Sequence, residues 1–467
     1  MSRQPQLTSW NAELSTGFPG LSAPVVLVLA IYSTGMILAG ASGLTRVVLF
    51  LVRHLGWQRF AIRKRLREFY VDADDKSGVR QGIRRRDFDV TDTFAPLLGW
   101  IIRLWKGKHL PLAIDVTNLG DRFHVLCVSV VVRGTAIPVA WKVLAAGVKD
   151  PWNPHWERLL ALLKAAVPED WTVVVLSDRG LESATLFRVI VRLGWHPLMR
   201  VKKGGTFRPA GWGEFRSLTK LLPDIGGTFR AEGRAYATEK LPCTLLARWD
   251  EGYAEPWFVL TDLPPEAAEA VWYGLRTWIE QGFKVIKGGG WDWDKTRMED
   301  PERVERLWLV MAVATLWVTA LGIEDEVREE NEADHRETER RFRESAREAG
   351  AREAAEKARR EAQEAGWRAR REHREKQQSA RRRASTAEQE QKKEAKKKAK
   401  AAQRHPTTGA TAKRRTSRVS TSGRALLTAL WSRGENALPR HLHPEPWPAI
   451  GPPGINLTEE EFLARQK

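Results

Sequence analysis

Residues 110–143 read LPLAIDVTNLGDRFHVLCVSVVVRGTAIPVAWKV. Leu110–Val116 is an apolar run that ends in Asp115-Val116-Thr117. Phe123–Val132 and Ala136–Val143 are two further apolar runs, joined by Arg133-Gly134-Thr135. Runs of this length with short Gly-containing turns between them predict a three-strand antiparallel meander. Beyond it, His155–Val167 reads as a helix. Trp171–Leu176 is a continuous apolar strand running into Ser177-Asp178-Arg179-Gly180, Leu181–Leu193 a second helix, and His196–Val201 a short strand.

Three antiparallel strands, helix, strand, helix, strand is the ribonuclease-H-like order. It is an α/β core in which carboxylates at strand ends meet at one edge of the sheet. Asp115 and Asp178 each stand at the end of a buried apolar strand. A bare buried charge is costly, so each must face solvent, be paired or hold a metal. Alone, either reads equally well as a turn-initiating Asp. Together, on neighbouring strands, they can bridge a hard cation. Carboxylate oxygens suit Mg²⁺ or Mn²⁺, and the lack of a Cys/His cluster disfavours zinc. Phosphoryl transfer uses two such ions about 4 Å apart.

A third carboxylate lies on the predicted helix Glu266–Lys284. Tyr273, Arg276 and Glu280 fall at i, i+3 and i+7 and share one face. Lys287 would lie two turns further along that face if the helix persists. Arg276 and Lys287 would grip backbone phosphates while Glu280 holds metal; the plainer reading is an exposed amphipathic face with one salt bridge. The run Tyr273-x2-Arg276-x3-Glu280-x6-Lys287 resembles the signature of bacterial insertion-sequence DDE transposases, in their family-four branch. Asp115, Asp178 and Glu280, spaced 63 and 102 residues apart, resemble that family's catalytic triad.

The resemblance covers roughly residues 25–322. It implies a ribonuclease-H-like core over 106–322 with a β-rich insertion at 203–262. It implies a cut-and-paste transposase with two Mg²⁺ or Mn²⁺ ions on Asp115, Asp178 and Glu280, which nicks DNA, forms hairpin ends and transfers the strand to target DNA. Its partners would be double-stranded DNA with inverted terminal repeats and target DNA. Its synaptic complex would be a homodimer, because two ends must be brought together. Tyr273, Arg276 and Lys287 would contact DNA. Trp257 would stack on a flipped base, the alternative being a core Trp on a strand, with Trp249 and Trp291 as substitutes for the stacking role.

Composition agrees with a polyanionic partner. The 467 residues carry 76 Lys+Arg against 58 Asp+Glu, a net charge of +18. Two cysteines exclude a disulfide framework and a Cys-rich zinc module and suit a reducing cytoplasm, at the nucleoid for a DNA enzyme. The 21 Trp add weak support for base stacking. An inactive, host-adopted DNA-binding protein derived from a transposase is the alternative reading.

Residues 1–105 read as a helical DNA-binding domain. Leu44–Leu55 is an apolar-periodic helix closed by Gly56. Gln58–Tyr70 follows, with Phe60, Ile62, Leu66 and Phe69 apolar and Arg59, Arg63, Lys64 and Arg67 among its cations. The pair resembles a helix-turn-helix with the second helix in the major groove, against a plain solvated basic face. Arg84-Arg85-Arg86 adds charge. Ala23–Gly43 is long enough to span a bilayer, but Pro19, Pro24 and Tyr32-Ser33-Thr34-Gly35 favour a buried core helix and no membrane partner. Residues 323–420 lack apolar a and d positions and read as a charged helix or disordered segment. Arg381–Arg418, with 14 Lys+Arg against 3 Asp+Glu, would bind DNA without sequence preference or act as a solubilising tail. Residues 421–467 read as a Pro-containing tail.

Overall fold

The computed structural model describes residues 5–77, 87–380, 418–444, 447 and 458–461. Arg84–Arg86 and nearly all of the basic block 381–418 lie outside the described residues. One compact unit comprises residues 1–326 and 415–467, and a second comprises 327–414.

The first unit opens with four helices: α1 (Pro5–Gly17), α2 (Ala23–Ala39), α3 (Leu44–Leu55) and α4 (Arg59–Tyr70). α3 spans the residues its apolar spacing predicts. It buries Val47, Val48 and Leu51 and ends at Gly56. α2 buries Val26 and an unbroken run from Leu29 to Ile37 within the protein, as a core helix does. Together with α3 it is apolar enough to cross a membrane, but the two bend by 89° at their junction. The helices read as a DNA-binding domain fall in the same compact unit as the sheet. Trp10 of α1 stacks on Trp317 at 3.7 Å, and Ser42 N donates to Trp291 O at 2.7 Å.

After α5 (Phe94–Leu104) come β1 (His109–Leu119), β2 (Phe123–Val132), β3 (Thr135–Ala145), α6 (Trp152–Lys164), β4 (Thr172–Ser177), α7 (Ala184–Arg192) and β5 (His196–Arg200). This is the element order read from the sequence. The meander β1–β3 is antiparallel, and β4 and β5 run parallel to β1. Continuous apolar strands form here because both faces are covered: every residue of β2 except His124 is buried.

The β-rich insertion is not a separate layer. β6 (Thr206–Pro209), β7 (Arg216–Ser217), β8 (Thr228–Ala235), β9 (Leu241–Arg248) and β10 (Trp257–Thr261), with the single turn α8 (Leu218–Leu221), extend the same sheet. The order is β3-β2-β1-β4-β5-β10-β9-β8-β6-β7. β10 returns antiparallel beside β5, pairing Val259 with Arg200. The result is a mixed α/β fold around a ten-stranded sheet.

The predicted helix Glu266–Lys284 is two pieces: a tight 3-10 segment Ala270–Arg276, then α9 (Thr277–Lys284). α10 (Pro301–Ala380) follows, and its residues from Val304 to Ile323 are largely buried. Its apolar part is long enough to cross a membrane yet is packed inside the protein. Finally α11 (Arg418–Ser432) packs against α10 within the first unit, and Trp317 Nε1 donates to Ala437 O at 2.7 Å. Within 421–444, read as the start of a tail, Leu427 and Leu442 are buried. Nine Trp, among them Trp141, Trp291 and Trp308, are almost fully buried, so a large share of the tryptophan content fills the core.

Candidate active site

Strand register brings the first two carboxylates together. β1 and β4 run parallel with Ile114 beside Ser177, so Asp115 and Asp178 follow next on neighbouring strands. The β1–β4 pairing ends there, so Asp178 follows the last residue of β4, whereas Asp115, expected at a strand end, lies within β1, which runs on to Leu119 beside β2.

The third carboxylate arrives on α9, which lies against β3 closely enough that only Gly fits at position 282. A Cβ there would stand 2.7 Å from Ala136 O. This close approach sets the height of Glu280, two residues earlier.

Arg276 is the hub of the site. Its Nη2 donates to Asp115 Oδ2 at 2.7 Å and lies 3.8 Å from Asp178 Oδ2, while its Nη1 donates to Glu280 Oε1 at 3.2 Å. Its side chain is 12% exposed, against 19% for Asp115, 32% for Asp178 and 52% for Glu280. Burial acts to lower the Arg276 pKa, but Asp115, Tyr273, Asp178 and Glu280 together outweigh it and hold it above the usual value. Its Nε is buried with no hydrogen-bond partner.

Asp115 is held from both sides. Val116 N donates to its Oδ1 at 2.8 Å. Its pKa stands above the usual range because burial outweighs the help of Arg276 and Val116, and Asp178 and Glu280 push in the same direction as burial. Across the β1–β2 pair it faces Cys127, whose thiol burial pushes up to about 12 and so keeps protonated.

Tyr273 is buried, and its hydroxyl donates to Asp178 Oδ1 at 3.1 Å. Burial, with Asp178 adding to it, raises the phenol pKa well above its ordinary value, so the proton stays on the oxygen. Trp257 packs edge-on to the Tyr273 ring at 5.4 Å, and the exposed Tyr253 packs edge-on to Trp257 at 5.7 Å. Arg200 lies over the other side of Tyr273, 5.7 Å from the ring centre.

Tyr273 and Arg276, expected to contact DNA, both have their side chains turned inward onto the carboxylates. Lys287 departs from expectation for a different reason. α9 stops at Lys284, a single wide turn covers Val285–Gly289, and Lys287 itself has non-helical angles. The helical face carrying Glu280 therefore does not reach Lys287. Its ammonium is half-buried; burial lowers its pKa, and Asp294 partly restores it. Trp291 donates to Thr315 Oγ1 at 2.9 Å in the core, and Trp249 donates to Tyr253 O at 2.9 Å. Arg59, Arg63, Lys64 and Arg67 are exposed on α4.

Sequence reading passed over Arg200 and an ion-pair cluster beside Asp178. Arg179 and Lys203 both pair with Glu255, at 2.9 and 3.0 Å. Adjacency to Asp178 was the available signal for Arg179; for Arg200 there was none, since its place depends on the β5–β10 pairing.

Among the described residues no three acidic, His or Cys side chains stand close enough to hold one metal ion. In donor type the site nevertheless fits a hard divalent cation, because three carboxylates converge on one positive charge. Here that charge is the guanidinium of Arg276.

Residues 120–317 match the family described as Transposase DDE domain. The matched segment contains Asp178, Glu280 and the whole Tyr-Arg-Glu-Lys run, and Asp115 lies just before it. Among solved structures, the chain is similar to "Cryo-EM structure of piggyBac transposase synaptic complex with hairpin DNA (SNHP)". That likeness has 13% identity over 67% of this chain and 73% of the other, with a TM-score of 0.33. No curated protein matches the sequence.

Proposed function

We propose that this protein is a DNA transposase of the insertion-sequence DDE type, with a ribonuclease-H-like core, that cuts and joins DNA by phosphoryl transfer. The observation that carries the reading is the convergence of Asp115 from within β1, Asp178 from the end of β4 and Glu280 from α9 onto one cationic centre. The DDE-domain match over 120–317 supports it.

Asp115, Asp178 and Glu280 would hold the divalent ions, Mg²⁺ or Mn²⁺, which supply charge neutralisation at the phosphate and a reactive water. The remaining residues prepare that site. Tyr273 keeps its proton and donates a hydrogen bond to Asp178, which fixes the carboxylate's orientation. Arg276 neutralises the three carboxylates when no other cation is present. Its unpartnered Nε makes this a seat it can leave, after which its guanidinium is free to meet a phosphate. Trp257, half-buried between Tyr253 and Tyr273, is placed to stack on a base drawn out of the duplex and so assist hairpin formation. Lys287 and the cations of α4 supply backbone contacts. The substrates are the two inverted-repeat ends, brought together by a homodimer, and a target duplex.

The test is cleavage of a supercoiled plasmid carrying the DNA that flanks the coding region. Wild-type protein should nick it in Mg²⁺ or Mn²⁺, and Asp115→Ala, Asp178→Ala and Glu280→Ala should each abolish nicking while leaving binding to the ends largely intact. Full nicking by any one variant would remove that residue from the triad. No nicking by the wild type, with binding retained, would instead make the protein an inactive DNA-binding descendant.

A further inference from the structure

Phe60 is the second residue of α4 and is 87% exposed, more than any other large apolar side chain among the described residues. Its apolar pattern alone placed it with Ile62, Leu66 and Phe69, but those three are buried and Phe60 is not. Arg63, Lys64 and Arg67 lie three, four and seven residues on and share its face, and Arg59 precedes it. All four are exposed. Arg63 is steadied by donating to Thr45 Oγ1 at 3.2 Å. Arg53 and His54, both exposed, close the preceding α3 one short turn away.

A lone aromatic ringed by cations restricts what can cover it. A second copy of this chain would bring like charges together. A bilayer surface needs a helix with a broad apolar face, and α4 has already buried its own. Duplex DNA satisfies both parts: phosphates meet the cations, and an apolar side chain enters between neighbouring base pairs, unstacking and kinking them.

We propose that Phe60 is a wedge inserted into duplex DNA, with Arg59, Arg63, Lys64 and Arg67 holding the phosphates on either side. The inference rests on the transposase reading and adds to it a bend in the bound duplex.

The experiment uses the full chain and a short duplex, of the flanking DNA, with a donor and an acceptor dye at its two ends. Wild-type binding should raise energy transfer, as a kink of roughly 20–90° requires. Phe60→Ala should still bind, within about tenfold, but leave the duplex straight, and Phe60→Trp should restore the bend. Because Phe60 is exposed, the variants should keep the wild-type circular dichroism spectrum and Tm. Replacing the four cations together by Ala should remove binding and bending alike. Wild-type binding without bending, or equal bending by Phe60→Ala, would overturn the wedge while leaving the transposase reading intact. Binding to anionic vesicles that is lost in Phe60→Ala would overturn it in favour of a membrane surface. Failure of the wild type to bind any duplex at low salt would instead defeat the transposase reading itself.

Discussion

The two halves of the Tyr-Arg-Glu-Lys run behave differently. Tyr273, Arg276 and Glu280 meet at the carboxylates, each within hydrogen-bond distance of a partner in the site. Lys287, equally well spaced in sequence, lies past the break at 285–289 and has Asp294 for its charged neighbour. Spacing transmits position only while the element carrying it stays regular. Here the regular part is held by the contact of Gly282 with β3, and the irregular part begins as soon as that contact is past.

The sharpest way to break this contrast is to lift α9 from the sheet. In Gly282→Val a Cβ would meet the Ala136 carbonyl, which is backbone and cannot rotate away. The overpacking should lower stability by about 1–3 kcal/mol. Displacing Glu280 by about 1 Å should cut nicking on the order of 100-fold. Nicking and Tm both like the wild type would mean that this contact does not set the position of Glu280.

A smaller effect is expected at the hub. Arg276→Ala leaves three carboxylates facing one another without a counter-charge. Since they are only partly buried, the loss should be about 2 kcal/mol, below that of a fully buried pair. Added Mg²⁺ should raise the Tm of this variant more than that of the wild type, because the ion takes the vacated place. Equal Mg²⁺ shifts in the two proteins would show that the guanidinium and the ion do not compete.

Next comes the titration of Asp115. Burial holds its folded pKa above the unfolded value, so the folded state keeps the proton longer. The stability this group contributes is therefore complete in acid and is lost as pH rises through the folded pKa. Urea midpoints across the range above pH 3.8 should fall less steeply with pH in Asp115→Asn than in the wild type. Parallel curves would show that the carboxyl is not destabilised by burial.

The least effect belongs to Lys287→Ala. Lying outside the carboxylate cluster, it should leave Tm unchanged and lower the salt slope of duplex binding by about one counterion. A large loss of Tm would show that Lys287 is part of the site's packing after all, and the contrast between the two halves would disappear.

What could be read beforehand follows the same division. β2 and the apolar runs leading to Asp115 and Asp178 were legible because a covered strand must be apolar, whereas the extension of β1 past Asp115 to Leu119 was not. The i, i+3, i+7 spacing on the Glu280 helix survives a change from 3-10 to α geometry, so its convergence was legible too. The joining of β6–β10 to the main sheet was hidden, because short strands broken by Gly carry no mark of their partner. The exposure of Phe60 was hidden because a count of apolar residues does not reveal which one falls off the buried stripe. The Trp content pointed toward nucleic acid, but nine of the 21 Trp are almost fully buried in the interior.

The packing of α11 on α10 bears on how the chain can be cut. Gly423 lies so close to Val318 O, and Gly322 to Val419 O, that neither position has room for a side chain. At the neck of this pair, Glu326 and Arg418 come within 4.0 Å. The entropic cost of joining these two positions by the intervening chain depends only weakly on its length, by about 0.6 kcal/mol per doubling. Truncation from the carboxyl end would peel α11 from the apolar side of α10 and open the interior. Excision from the middle would leave both sides of the seam in place. Shortening the sequence between Glu326 and Arg418, or changing its charge, should therefore leave in place the seam of α10 and α11 and the three carboxylates.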